Sequence, residues 1–348
     1  MNACFPGIAR LLRWKPPRKE DSVHKQTIKW GSCILIRSVL SFCGGHGPKV
    51  LFIGVFLGLA APDLAALLRP HIGPIVGVLL FFSLLRIEWQ AMSSYLRHPF
   101  SLVALLVWLL VISPALIMLL LSPFPLPEAL ETALILMAAA PPILGASAIA
   151  LLVGLDAALA IVVGLIATLL APLTVPPVSF WLLGVELDVS TYEFMLRMGM
   201  VVGGAFLASV LVRTLAGNHR LRTAAREIDG TIVLVMLVFA IGIMDGVTQT
   251  LFERPHTVAL WVAAAFIANP LLQVAAFLVF YKLGRSRALT AGLMSGNCNM
   301  GLLLASLPES TDYDVALFFA LAQLPMYMLP ALCVPLYRRL LPENTHPS

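Results

Sequence analysis

The sequence predicts an all-α polytopic membrane protein of ten transmembrane helices, arranged as two halves of five. Three observations carry that prediction: the composition, a series of apolar segments of spanning length, and the side on which the basic residues fall. Of 348 residues, 59% are hydrophobic and 12% charged, against about one quarter charged in soluble chains. The mean hydropathy is +0.93. So few charged side chains cannot coat a soluble protein of this length, which disfavours a soluble enzyme, a nucleic-acid binder and a disordered chain. The lipid bilayer is the implied solvent.

Taken in order, residues 1–48 stand apart. They hold Arg10, Arg13, Lys15, Arg18, Lys19, Lys25, Lys29 and Arg37 around Pro16-Pro17, and their apolar run near Ile34 to Phe42 is short and interrupted. No long apolar core leads to a small-residue cleavage site, so a secretory signal is not expected. The segment reads as a basic, disordered cytoplasmic tail, with lipid headgroups as its alternative partner. A span needs about 20 mostly apolar residues. Such segments fall at 49–68, 72–92, 99–121, 129–153, 157–183, 193–214, 230–250, 256–281, 287–307 and 315–337, the first interrupted near its outer end by Asp63.

Basic residues collect in cytoplasmic loops. With the N-terminus inside, all 23 Lys and Arg residues fall on the cytoplasmic side except Arg69, Arg197 and Arg254. The opposite loops are acidic, with Glu186 and Asp188 in one and Glu309, Asp312 and Asp314 in another. A wrong count of spans scrambles this alternation, so both termini are expected in the cytoplasm. The net charge of +5 thus reports orientation rather than an anionic partner. Cys4, Cys33, Cys43, Cys298 and Cys333 show no C-x-x-C spacing and no His pairs, so neither a disulfide framework nor a metal site is expected.

Helix breakers recur at matching places. Pro114, Pro141-Pro142 and Pro172 lie in the third to fifth spans, and Pro270, the pair Gly296 and Gly301, and Pro325 in the eighth to tenth. Pro114 and Pro142 are 28 residues apart and Pro142 and Pro172 are 30; Pro270 and Gly296 are 26 apart and Gly296 and Pro325 are 29. Five spans is an odd number, so two such halves (49–183 and 193–340) lie in opposite orientations, the layout of an inverted-repeat transporter.

Charges inside the spans normally locate function, and here Arg86, Asp156 and Asp245 sit near predicted ends. The polar signal is amide and hydroxyl, in two places. In Ala140-Pro141-Pro142-Ile143-Leu144-Gly145-Ala146-Ser147, consecutive prolines break the backbone ladder. The carbonyls so freed need a partner, which in a membrane is a cavity, an ion or a solute. In Ser295-Gly296-Asn297-Cys298-Asn299-Met300-Gly301, two asparagines stand mid-span between glycines. Unpaired, they cost several kcal/mol in hydrocarbon, and the glycines let the backbone unwind. Weaker candidates are Gln323, just before Pro325, and Gln273 beside Asn269-Pro270, both read as packing glue. Thr168 is expected to bond back within its own helix. No His lies mid-span, and no nucleophile–base pair, H-E-x-x-H or paired carboxylates mark an intramembrane enzyme.

These residues carry a family resemblance. The run Gly296-Asn297-Cys298-Asn299 resembles the G-N-R-N-type motif of the ninth helix of the bile acid:sodium symporter family. The stretch from Ala140 through Gly154, Leu155, Asp156, Ala157 and Ala158 to Ala171, Pro172 and Leu173 resembles that family's fourth helix, turn and fifth helix. The likeness spans about residues 49–340. It implies two inverted five-helix repeats whose fourth and ninth helices are broken and cross at the membrane centre. It also implies a multi-pass protein of the cell membrane, for a bacterial chain the inner membrane, moving an organic anion with sodium.

This chain departs from the family at the ion. The carboxylate and glutamine of the family's ninth helix become Met294 and Cys298. The third-helix glutamine falls on Leu109, the fourth-helix Ser-Asn pair becomes Ala146-Ser147, and the fifth-helix hydroxyls fall near Ala160 and Gly164. Hard cations need several oxygens, so two complete sodium sites are not expected, and Ser147, Asn297 and Asn299 with freed carbonyls remain for one ion or none. The expected function is alternating-access transport of a small anionic solute. Its site is lined by Pro141, Pro142, Gly145, Ser147, Ser295, Gly296, Asn297 and Asn299, with Gln323 nearby, and half-helix N-termini receive the charge. No cofactor is expected, and Na+ is the one candidate ion. The alternative is a sodium-independent or proton-linked exporter of the related arsenite or auxin-carrier type.

Overall fold

The computed structural model describes residues 47–87, 99–184, 190–308 and 310–341. The basic tail up to residue 46, Arg97, and the acidic Glu186, Asp188 and Glu309 lie outside the described residues. The described chain is helical almost throughout. In order its helices are α1 (Gly47–Ala60), α2 (Pro62–Leu68), α3 (Ile72–Arg86), α4 (Pro99–Val107), α5 (Ser113–Leu121), α6 (Glu128–Ala139), α7 (Ala146–Val153), α8 (Ala157–Leu183), α9 (Thr191–Ala216), α10 (Asn218–Thr223), α11 (Ala225–Gly242), α12 (Val247–Glu253), α13 (Pro255–Phe280), α14 (Arg285–Gly296), α15 (Met300–Ser306), α16 (Tyr313–Leu321) and α17 (Gln323–Leu340).

Among the described residues, six helical runs are long and apolar enough to cross a membrane: Pro62–Arg86, Pro99–Leu121, Ala157–Leu183, Thr191–Ala216, Ala225–Glu253 and Pro255–Leu283. The other segments expected to span are cut into shorter helices, and the cuts have local causes. Ala140 precedes two prolines and is extended at φ −64°, ψ 140°, as the clash with a following proline ring requires. α14 ends at Gly296, and Asn297 takes φ −103°, ψ 69°. α16 ends at Leu321, four residues before Pro325, whose ring excludes the carbonyl four residues back.

Not every predicted breaker breaks. Pro172 and Pro270 lie inside continuous helices, and Pro114 follows a π-helical turn at Trp108–Ile112 that absorbs the missing donor. The first boundary also moves. The sequence places it after residue 68, whereas α1 stops at Ala60 and a helical run continues from Pro62 through a 3₁₀ turn at Arg69–His71 into α3. Proline at the first helical position and Asp63 in the first turn favour a start there.

Two packing groups emerge. α11 lies against α1, α2 and α3, and α9 lies against α3. Glycines permit the approach: a Cβ on Gly58 would stand 2.7 Å from the Ile241 carbonyl oxygen. Arg86 pairs with Asp229 at 2.7 Å, and Arg213 donates to the carbonyls of Leu85 and Ile87 at the end of α3. The second group holds α6 against α5 and α16, and α13 against α14. At its edge Arg254 pairs with Asp314 at 2.7 Å, and the Trp261 indole donates to the Asp314 carbonyl.

Candidate functional site

The interruption between α6 and α7 meets the interruption between α14 and α15. The Ile143 N–H donates to the Asn297 carbonyl at 2.8 Å, and the Asn299 N–H donates to the Pro141 carbonyl at 2.7 Å. Pro142 and Cys298 thus face each other as an isolated antiparallel bridge. Each break supplies what the other lacks: the helix stops before the two prolines, so the carbonyl of Pro141 and the amide of Ile143, outside any helical ladder, are met from the opposite segment. Backbone polar groups in a dry interior must be paired, and here two broken helices satisfy one another.

Side chains fix the geometry. Asn299 caps α15, its Oδ1 accepting from the Leu302 N–H at 3.1 Å. Ser147 donates to the Leu144 carbonyl within its own turn. The Ser295 hydroxyl donates to the Ala291 carbonyl and accepts from the Trp108 indole at 3.0 Å. Trp108 sits in the π-helical turn and packs edge-on against Phe280. Asn297 is wholly buried. Its Nδ2 donates to the Leu293 carbonyl at 2.7 Å, while its Oδ1 has no partner.

The expected site residues therefore divide. Pro141, Pro142, Gly296, Asn297 and Asn299 are brought together at the crossing, with Cys298 between the two asparagines; all are buried but Asn299, which is half-buried. Gly145 lies at its rim, exposed, and a Cβ there would meet nothing within 4 Å. Gln323 is buried at the start of α17, where Nε2 donates to the Phe319 carbonyl of the turn before and Oε1 lacks a partner. Thr168 donates to the Gly164 carbonyl of its own helix, as expected. Sequence reasoning missed Trp108 and Tyr337, gave Asn269 no role of its own, and read Gln273 as packing glue. Asn269 donates to the Gly296 carbonyl itself. The signal was present: Asn269 and Gln273 are four apart, on one face of a helix.

The sodium set implied by the resemblance does not fit these residues. Leu109, Ala160 and Met294 belong to one buried apolar cluster. At Gly164 a Cβ would stand 3.6 Å from Leu144 Cδ2 and 3.8 Å from Met294 Cε, so aliphatic and thioether groups occupy the places where oxygens were expected. The Cys298 thiol donates to the Ser295 carbonyl. Ser147 and Asn299 already make local bonds, which leaves the Asn297 Oδ1 as the bare side-chain oxygen of the crossing. No group of three or more His, Cys, Asp or Glu able to hold a metal ion occurs among the described residues.

Comparison with protein-family models matches residues 73–248 to the model described as the sodium bile acid symporter family. Comparison with curated proteins finds no match.

Proposed function

The chain belongs to the sodium bile acid symporter family, and on that premise we propose that this membrane transporter carries a small organic anion by alternating access, with its solute site at the crossing of the two breaks. The observation that carries this reading is the reciprocal pairing of Pro141 with Asn299 and of Ile143 with Asn297. It draws two helix interruptions, each of which costs ladder hydrogen bonds, to one place beside a buried unpartnered amide oxygen.

The ten-span, inverted-repeat layout is part of the proposal. Its support is the pair of interruptions, one after Ala139 and one after Gly296, and their antiparallel meeting. Support for rocking comes from an asymmetry between the two half-helices beyond the breaks. α15 packs against α3 and α9, and a Cβ on Gly301 would stand 2.8 Å from Phe239 Cζ of α11. α7 instead packs mainly on α8, α14 and α17, with Ala148 exposed and Leu151 and Leu152 each 72% exposed. The α1–α3, α9 and α11 group thus packs on the half-helix of the α15 side and not to a like extent on that of the α7 side. With the N-terminus cytoplasmic, this is an inward-open state. The exposed Gly145 at the start of α7 presents a helix N-terminus to an entering anionic group.

The donor set favours a sodium-independent form of this reading over a symporter with two ion sites. The test is uptake of a panel of labelled small organic anions into proteoliposomes. Wild type should accumulate at least one, with equal rates in sodium and potassium, and Asn297→Ala and Asn299→Ala should abolish it while inserting normally. Unchanged uptake in both variants overturns the site.

A further inference from the structure

Three side chains connect the last helix to the break in the ninth predicted span. The Tyr337 hydroxyl of α17 donates to Gln273 Oε1. Gln273 Nε2 donates to Asn269 Oδ1 at 2.7 Å, and Asn269 Nδ2 donates to the Gly296 carbonyl. Asn269 and Tyr337 are 3% and 5% exposed and Gln273 is half-buried, so water competes poorly at the two ends of the series.

The direction of the chain is fixed from one end. A backbone carbonyl carries no proton, so Asn269 must turn its NH2 toward Gly296, which turns its oxygen toward Gln273. Gln273 must then present its own NH2 and leaves its oxygen for Tyr337, whose hydroxyl has to donate. Each amide has one satisfied orientation, and bonds in such a series polarise one another. The packing leaves no slack. A Cβ on Gly296 would stand 2.5 Å from Gln273 Cγ and 2.8 Å from both Asn269 Oδ1 and Gln273 Nε2, and one on Gly292 would stand 2.7 Å from the Gln273 carbonyl oxygen. Two glycines one turn apart seat α13 on α14, and the amides fill the seat.

The Gly296 carbonyl shares a peptide plane with the Asn297 N–H, and Asn297 supplies the carbonyl that receives Ile143. We infer that Tyr337, acting through Gln273 and Asn269, is a positioning residue that sets the peptide plane entering the crossing, although it lies 41 residues from Gly296 on another helix. Its role in transport rests on the crossing being the solute site. The relay itself does not, and its test needs no solute, so the two failures are told apart.

The experiment is hydrogen–deuterium exchange of the full chain in lipid nanodiscs, read on peptides covering 140–148 and 295–303. Tyr337→Phe keeps the ring and removes the donor. It should speed exchange at both peptides about tenfold, the effect of one lost buried hydrogen bond, while peptides of α11 keep the wild-type rate. Gln273→Met should do the same on its own, and adding Tyr337→Phe to Gln273→Met should change nothing further, because the relay is already cut. Wild-type exchange in both single variants, an equal increment in the double variant, or acceleration spread evenly over α11 each overturns the proposal.

Discussion

Replacing Gly296 by alanine sets two effects of opposite sign against each other. Gly296 is helical, the last residue of α14, and alanine is the better helix former by up to about 1 kcal/mol. Propensity alone therefore predicts stabilisation. The surroundings predict the reverse. The new methyl would stand 2.5 Å from Gln273 Cγ and 2.8 Å from Asn269 Oδ1 and Gln273 Nε2, roughly 1 Å inside ordinary carbon contact. Overpacking of that kind costs about 1–3 kcal/mol. Displacing Asn269 also unpairs a buried carbonyl and amide, for about 1–3 kcal/mol more. The balance is a loss of about 1–5 kcal/mol, so contact wins over propensity. The assay is the unfolding midpoint of the purified protein in detergent, with Gly203→Ala and Gly204→Ala as controls, since a Cβ at either meets nothing within 4 Å. Those two should match or exceed wild type while Gly296→Ala falls clearly below it. A Gly296→Ala protein as stable as the controls would refute the close packing of α13 on the break.

Asn299→Ser retains a capping oxygen for the Leu302 N–H, so it should unfold within about 0.5 kcal/mol of wild type where Asn299→Ala loses about 1 kcal/mol; transport should still fail in both, and intact transport in the serine variant would reduce Asn299 to a cap. Gly301→Ala sets a methyl 2.8 Å from the Phe239 ring, which penalises the closed contact of α15 by about 1–3 kcal/mol. A cysteine placed at Ala305 should then react with an external membrane-impermeant thiol reagent about tenfold faster, and an unchanged rate would show that this contact does not govern access. Exchanging sodium for potassium at equal ionic strength should leave the unfolding midpoint unchanged. A sodium-specific rise that disappears in Asn297→Ala would show that the crossing still holds an ion.

The membrane class, the long apolar helices and the two polar breaks were legible in the sequence because each follows from local chemistry: apolar length, paired prolines, asparagines between glycines. The fate of single prolines was not. Pro172 and Pro270 are absorbed within α8 and α13, whereas the effect of Pro325 appears four residues earlier, at Leu321, because neighbouring helices decide whether a freed carbonyl is tolerated. The direct pairing of Ile143 with Asn297 spans 154 residues of chain and has no local signature, so the resemblance alone anticipated a crossing. Tyr337 was invisible for the same reason: nothing near it in sequence announces that its hydroxyl ends a relay begun at Gly296. The departures from the residues that the resemblance implies for the ion were readable one by one. That apolar groups close together in their place, Met294 and Leu144 at Gly164, required the fold.

The central claim is that the crossing of the two breaks is the solute site, and a ligand screen by thermal unfolding tests it most directly. A small organic anion that binds wild type, present at 100 times its dissociation constant, should stabilise it by about 2.7 kcal/mol, and that gain should vanish in Asn297→Ala while the unliganded variant still unfolds cooperatively. An anion that stabilises wild type and Asn297→Ala equally would contradict the claim and place the site elsewhere in the fold.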